Sequence, residues 1–477
     1  MRGQFTRRAL LRLAASTGVV STAPAGANAL VTEAEFVDGS AWLDGELRNY
    51  AKTQEAPAEQ ASDSDFLARW RDRSTENAAD YLERTTDEPG WKSHANGCAT
   101  WGGQCTGDPD RYRDVDAYGF YGTVGERKRV AFYDREGARL SGHLWTPVEG
   151  DGLPGIVITN GSVQAPETLY WWAAQSLVAA GYAVLTYDPR GQGRSDGVTP
   201  DGTPGGNANG DVFVTNQVDA IDFFRSTPDA PYDPNRRGDR SDASAPVSVH
   251  NPVHDRVDRS RLGIAGHSAG AIGASIVQGF DPWPTGGDNP VDAVVAWDNL
   301  GTDDDVAADA SEREAVGAAS FFETVPDGDI EPRVPAMGQA GDYFLTPTPH
   351  AEPPDADAKA AAFERWRDAG VPAYQLVIRG GTHYEWSQLP TFPATSWEFG
   401  NVFADHYTVA WFDRWLKTPG EPGFHDADDR LLDDETWANH FSYHYRSKRA
   451  FEDRSQQHHA CDDVRAGCDA PTVPGRV

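Results

Sequence analysis

The residues best placed to do chemistry are a serine and its flanking glycines, Gly266-His267-Ser268-Ala269-Gly270. The spacing is G-x-S-x-G. The apolar run Leu262 to Ala265 leads in, and small, helix-compatible residues lead out. Strand, sharp turn and helix form the context in which this pentapeptide holds a serine hydroxyl at the tip of a sheet. The turn strains the backbone at the serine, and the glycines let strand and helix approach more closely than side chains allow. A serine hydroxyl is a poor nucleophile at neutral pH. It needs a base, and the base needs a third group to orient it. His383, in Gly380-Gly381-Thr382-His383-Tyr384-Glu385-Trp386, is the candidate base. Asp342, in Gly338-Gln339-Ala340-Gly341-Asp342-Tyr343, is the candidate acid. Asp298, at the end of the preceding strand, competes with it. The Asp342 loop lies immediately before the helix and strand that deliver His383, and that ordering favours Asp342. The run Asp303-Asp304-Asp305 reads as a solvated face or helix start, with calcium binding as the other reading.

Acyl transfer also needs donors for a developing oxyanion. The backbone N–H of Ala269, next after the serine, is one candidate. The other is expected from Asn160-Gly161-Ser162-Val163, after an apolar strand, with the Ser162 or Val163 amide favoured.

The elements that must position these residues follow from periodicity. Val130 to Tyr133 and Leu140 to Trp145 read as strands joined by the turn Asp134-Arg135-Glu136-Gly137. Gly155 to Thr159 and Tyr182 to Tyr187 are continuous apolar runs, the mark of strands buried on both faces. Strands are also expected at Val291 to Trp297, Val334 to Ala340 and Ala373 to Ile378. Helices are expected at Glu167 to Ala180, Asp211 to Arg225, Ala271 to Phe280, Ala358 to Ala369 and Asn401 to Lys417. Strands alternating with helices after an antiparallel start predict an α/β fold, a doubly wound, mostly parallel sheet. In such a sheet the loops after parallel strands open at one edge. Ser268, the acid and His383 therefore meet there although far apart in sequence.

Residues 30–126 read as a helical and loop extension with no catalytic constellation of its own. The catalytic domain is expected over 127–417, with cap-like insertions at 226–258 and 301–333; Trp171, Trp172, Trp283 and Trp386 read equally as aromatics near such a cap or as core. Residues 418–477 form a tail. The 477-residue chain is long enough for one large domain with additions or for two domains. Its 15 Trp, 16 Tyr and 20 Phe supply a sizeable core. A net charge of −31 disfavours nucleic acid and anionic membranes as partners. Thr6-Arg7-Arg8-Ala9-Leu10-Leu11-Arg12, an apolar stretch to about Val20 and the small residues Ala25 to Ala29 predict a twin-arginine export signal over 1–29. No later stretch is long and apolar enough to span a membrane. Export gives the four cysteines a meaning. Cys98 and Cys105, and Cys461 and Cys468, each have six residues between them. Two local disulfides are the simplest reading, and zinc is disfavoured by the spacing.

Residues 127–417 resemble the α/β-hydrolase superfamily. LPGIVITNG, GYAVLTYDPRGQGRSDG, GHSAG, GDYF, GGTH and AWFDRWL are similar to its dienelactone-hydrolase-like and Xaa-Pro-dipeptidyl-peptidase-like branches. The last helix is placed as in cutinase-like polyester hydrolases. Serine, acid, histidine is also the chain order that superfamily uses. The resemblance implies a cofactor-free serine hydrolase with Ser268, Asp342 and His383 as its triad, and no metal is expected at this site. Asn160-Gly161 stands where His-Gly is usual, and the nucleophile is serine, not cysteine. The expected activity is cleavage of a small-molecule or polymeric carboxylic ester outside the cell. A peptidase of the same fold is the nearer alternative, and an inactive binding protein on the same scaffold the more distant one.

Overall fold

The computed structural model describes residues 45–51, 62–65, 68, 120–162, 166–236, 247–302, 330–344, 347–350, 352–387 and 398–468. The expected signal at 1–29, the pair Cys98 and Cys105, Val163 and the run Asp303 to Asp305 lie outside them.

Among the described residues ten strands form one sheet, in the order β1-β2-β4-β3-β5-β6-β7-β8-β9-β10. They are β1 (Gly125–Tyr133), β2 (Arg139–Pro147), β3 (Leu153–Thr159), β4 (Ala183–Asp188), β5 (Val257–His267), β6 (Ala293–Trp297), β7 (Ala336–Gly341), β8 (Ala373–Ile378), β9 (Lys448–Glu452) and β10 (His458–Cys461). From β4 through β8 every neighbouring pair is parallel. β1 and β2 add antiparallel strands at one edge, β9 and β10 at the other. Burial explains the sequence pattern. β3, β4, β6, β7 and β8 are buried along their whole length, so they carry apolar and small residues without alternation. The edge strand β1 instead exposes Glu126 to Arg129.

Helices cover both faces. One face packs α1 (Trp171–Ala179) and α5 (Glu398–Leu416) over a core holding Trp172, Trp297, Trp386 and Trp411. The other packs α2 (Val212–Arg225), α3 (Ala269–Val277) and α4 (Ala361–Asp368) over Phe132, Phe213, Phe223 and Trp366. The expected doubly wound α/β architecture is therefore present. Trp171, Trp172, Trp283 and Trp386 are all buried core residues, so none of them is a free cap surface.

The chain leaves β3 toward β4 on one side and leaves β5 toward β6 on the other. The loops after β3 and β5 meet at this reversal, a place where open α/β sheets form a crevice. The cysteine-bearing tail is not peripheral. It supplies β9 and β10, and Cys461 and Cys468 are bonded to each other as the spacing suggests. The strands are short and partly charged, KRAFE and HHAC, so periodicity alone could not reveal them. Among the described residues no helix is long and apolar enough to cross a membrane.

Candidate active site

Ser268 stands between the end of β5 and the start of α3, with φ 55° and ψ −121°. A non-glycine residue held there stores about 1–3 kcal/mol of strain. The surroundings impose that strain. A Cβ on Gly266 would lie 2.1 Å from the Gly270 carbonyl oxygen. A Cβ on Gly270 would lie 2.4 Å from the carbonyl oxygens of Thr159 and Asn160. The two glycines are thus required by backbone packing, and the serine between them cannot relax. Its own N–H donates to the Trp297 carbonyl at 2.9 Å, which fixes it beside the end of β6.

The loop after β3 abuts this turn. A Cβ on Gly161 would lie 3.2 Å from Ser268 Cβ. Gly161 N–H is already committed, donating to Tyr170 Oη at 3.0 Å. The next residue, Ser162, is half-buried. Ala269, the other expected donor, opens α3, where the first N–H groups have no intrahelical acceptor. Asn160 is held by its side chain, which donates to Asp188 Oδ1 at 3.0 Å.

His383 follows β8, and its Nδ1 lies 2.5 Å from Asp298 Oδ2. The expectation that Asp342 orients His383 is corrected by this contact. Asp342 Oδ2 instead accepts the Gly380 N–H at 2.8 Å and the Asn49 side-chain amide at 2.9 Å. The reason lies in the register. His267 pairs with Trp297, so the residue after each, Ser268 and Asp298, comes at the ends of adjacent strands. Asp298 also has a positive φ of 54°, which turns the chain at the end of β6. β7 runs on to Gly341, paired with Ile378, so Asp342 lies against the backbone of the His383 loop and braces it. Burial pushes the Asp298 carboxyl up, but the hydrogen bond and charge of His383 outweigh it and hold the group below the usual range.

His267, inside the pentapeptide, was not assigned a role by sequence reasoning. Its Nε2 lies 2.7 Å from the His383 carbonyl oxygen, and its Nδ1 lies 2.8 Å from Tyr170 Oη. A carbonyl can only accept, so Nε2 carries the proton and Nδ1 accepts from Tyr170. The chain Gly161 N–H to Tyr170 to His267 to His383 therefore ties the loop after β3, the serine turn and the histidine loop together. Burial, then the neighbouring His383, pushes the His267 pKa down to about 3. His267 stays neutral, as these bonds need. Among the described residues neither Ser268 Oγ nor His383 Nε2 makes a hydrogen bond with its side chain, and such contacts often tighten only with substrate. Phe344, 60% exposed, lays its ring 5.1 Å from that of His383 and gives the site an apolar flank.

Elsewhere, Glu46, His350 and His444 bring potential metal-ligand atoms within 4.8 Å of one another. The helical residues 45–51 that carry Glu46 and Asn49 belong to the extension in which the sequence shows no constellation.

No family model matches the chain. Over 159 residues it is 29% identical to a thiohydrolase, apmlB of Arthrinium phaeospermum. The match covers 33% of this chain and 41% of that protein. It is a distant similarity to part of a hydrolase, and it agrees with a hydrolase activity in general terms.

Proposed function

We propose that the protein is a serine hydrolase of the α/β-hydrolase type, acting on carboxylic esters through Ser268, His383 and Asp298. The single observation that carries this is Ser268, held at positive φ on a strand-to-helix turn beside the Asp298–His383 pair. The strand reversal at β3 and β5 adds support, because that is where such sheets place their chemistry. Asp298 is ionised, so His383 Nδ1 carries the proton and Nε2 is the basic nitrogen. Ser268 Oγ attacks the acyl carbon and its proton passes to His383 Nε2. The alcohol leaves with that proton, giving an acyl-enzyme. Water then attacks, its proton passes to His383, and the acid departs as Ser268 regains a proton. The Ala269 N–H and an amide after Gly161 stabilise the oxyanion.

One observation favours a second leaving group. The partial relative is named a thiohydrolase, so a thioester is a reasonable alternative substrate for the same machinery. Twin-arginine export is part of the proposal and rests on residues 1–29. The test is a series of aryl esters of increasing acyl length, each beside its thioester and its aminoacyl anilide. Ester turnover that vanishes when a fluorophosphonate labels Ser268 is the expected result. Thioester turnover well above ester turnover shifts the substrate class. Anilide turnover above both moves the reading to a peptidase. No labelling of Ser268 sinks the nucleophile.

A further inference from the structure

The sheet edge carrying the catalytic groups has a second histidine–carboxylate cluster behind it. Glu46 is fully buried, on the helical residues 45–51. Its Oε1 lies 3.0 Å from His350 Nδ1, and its Oε2 lies 2.5 Å from His444 Nε2. The residues come from distant parts of the chain: the segment before the sheet, the stretch after β7 and the stretch before β9. The surroundings orient them. Tyr343 Oη donates to Glu46 Oε1 at 2.9 Å, and the His350 N–H donates to the same oxygen at 2.8 Å. Tyr445 Oη lies 3.1 Å from His350 Nε2, engaging the ring nitrogen that faces away from Glu46. A partner on the far nitrogen is how proteins fix the tautomer of a ligating histidine.

A buried carboxylate needs partners, and the two imidazoles meet Glu46. Asp342 is also buried, and its Oδ1 has no hydrogen-bond partner among the described residues. Asp342 and Glu46 both hold the same helical segment, the former through Asn49. The ligand atoms of Glu46, His350 and His444 lie within 4.8 Å of one another, close enough to converge on one cation. The N,N,O donor set selects zinc over magnesium or calcium, which prefer oxygen alone.

We propose that Glu46, His350 and His444 form a zinc site, its fourth position left to water, that staples residues 45–51 beside the strand edge carrying Asp342 and Tyr343. Each histidine supplies the nitrogen now facing Glu46, and Glu46 supplies an oxygen. The staple reaches the active site through Tyr343. Tyr343 N–H donates to the Gly381 carbonyl, and the His383 N–H donates to the Phe344 carbonyl. The metal therefore acts on the rigidity of this strap and takes no part in bond making. The site does not depend on the proposed reaction, and its test does not use activity.

The experiment uses the full chain, stripped with a chelator, dialysed and titrated with zinc chloride. The expected result is stoichiometric binding by calorimetry and elemental analysis, with a raised Tm and slower proteolytic release of the 45–51 segment. His350→Ala with His444→Ala should abolish binding. Tyr445→Phe should weaken it by about 10–100-fold, as loss of an outer hydrogen bond does elsewhere. Wild-type chain that is folded and takes up no zinc overturns the proposal, leaving a metal-free ion-pair cluster. Undiminished binding by the folded double histidine variant overturns it as well, placing the metal elsewhere. If the double variant fails to fold, Tyr445→Phe and the wild-type stoichiometry decide.

Discussion

Two histidine–carboxylate contacts of the same length, 2.5 Å, serve opposite ends in this molecule. Asp298 and His383 meet at the ends of parallel strands, next to a strained serine. Glu46 and His444 meet behind that edge, across a separation of 398 residues. The surroundings of the histidines separate them. Among the described residues His383 Nε2 has no hydrogen-bond partner, at a half-buried site with an apolar flank, which suits the proton transfer proposed for it. His350, beside His444, turns one ring nitrogen to Glu46 and the other to Tyr445, so the cluster is built to hold the 45–51 segment. A buried pair is suited to catalysis when its histidine keeps one open nitrogen near a nucleophile. A pair whose far nitrogen is fixed by another side chain is suited instead to holding a segment or an ion.

The sharpest break of this comparison removes the proposed nucleophile. Ser268→Ala should keep the fold by circular dichroism and lose about 10⁶ in kcat, as triad knockouts do elsewhere. Labelling of another serine by an active-site phosphonate contradicts it.

The next separates the two aspartates. Asp298→Asn should cost about 10⁴ in kcat with little change in KM, because His383 loses its orienting carboxylate. Asp342→Asn should retain most activity, since its partners are the Gly380 N–H and Asn49. It should instead lower stability by about 1–3 kcal/mol in urea unfolding, the cost of disturbing buried hydrogen bonds. Kinetic loss at Asp342 with none at Asp298 reverses the assignment.

The smallest effect is a pH dependence. A histidine lowered to about 3 in the folded state binds its proton earlier in the unfolded chain, near 6.5. Between those values the unfolded state holds the extra proton. The native form of His267 therefore loses relative stability as pH falls through 6.5 toward 3. Through this residue alone the protein should be roughly 2 kcal/mol less stable at pH 5 than at pH 7. Buried acids with raised pKa, such as Asp219, push the other way, so the comparison is with His267→Gln. That variant keeps a donor for the His383 carbonyl and should show a shallower loss on acidification. Equal slopes mean that His267 is charged in the native protein.

The sequence by itself determined the repeating elements, the doubly wound sheet, the serine turn and the histidine loop. These depend on local rules: apolar runs make buried strands, and glycines permit one tight turn. Ala373–Ile378 was legible to the residue for that reason. The tail strands were not, because short charged strands at an edge gain their stability from a neighbour rather than from pattern. Tertiary structure decided which aspartate meets His383. Asp298 and Asp342 both end buried strands, and no local signal distinguishes them. The choice came from β6 lying beside β5 and from the chain turning at Asp298, while Asn49 and Gly380 occupy Asp342. The cluster at Glu46 likewise exists only once segments hundreds of residues apart have packed, because a carboxylate's partner depends on distance in space.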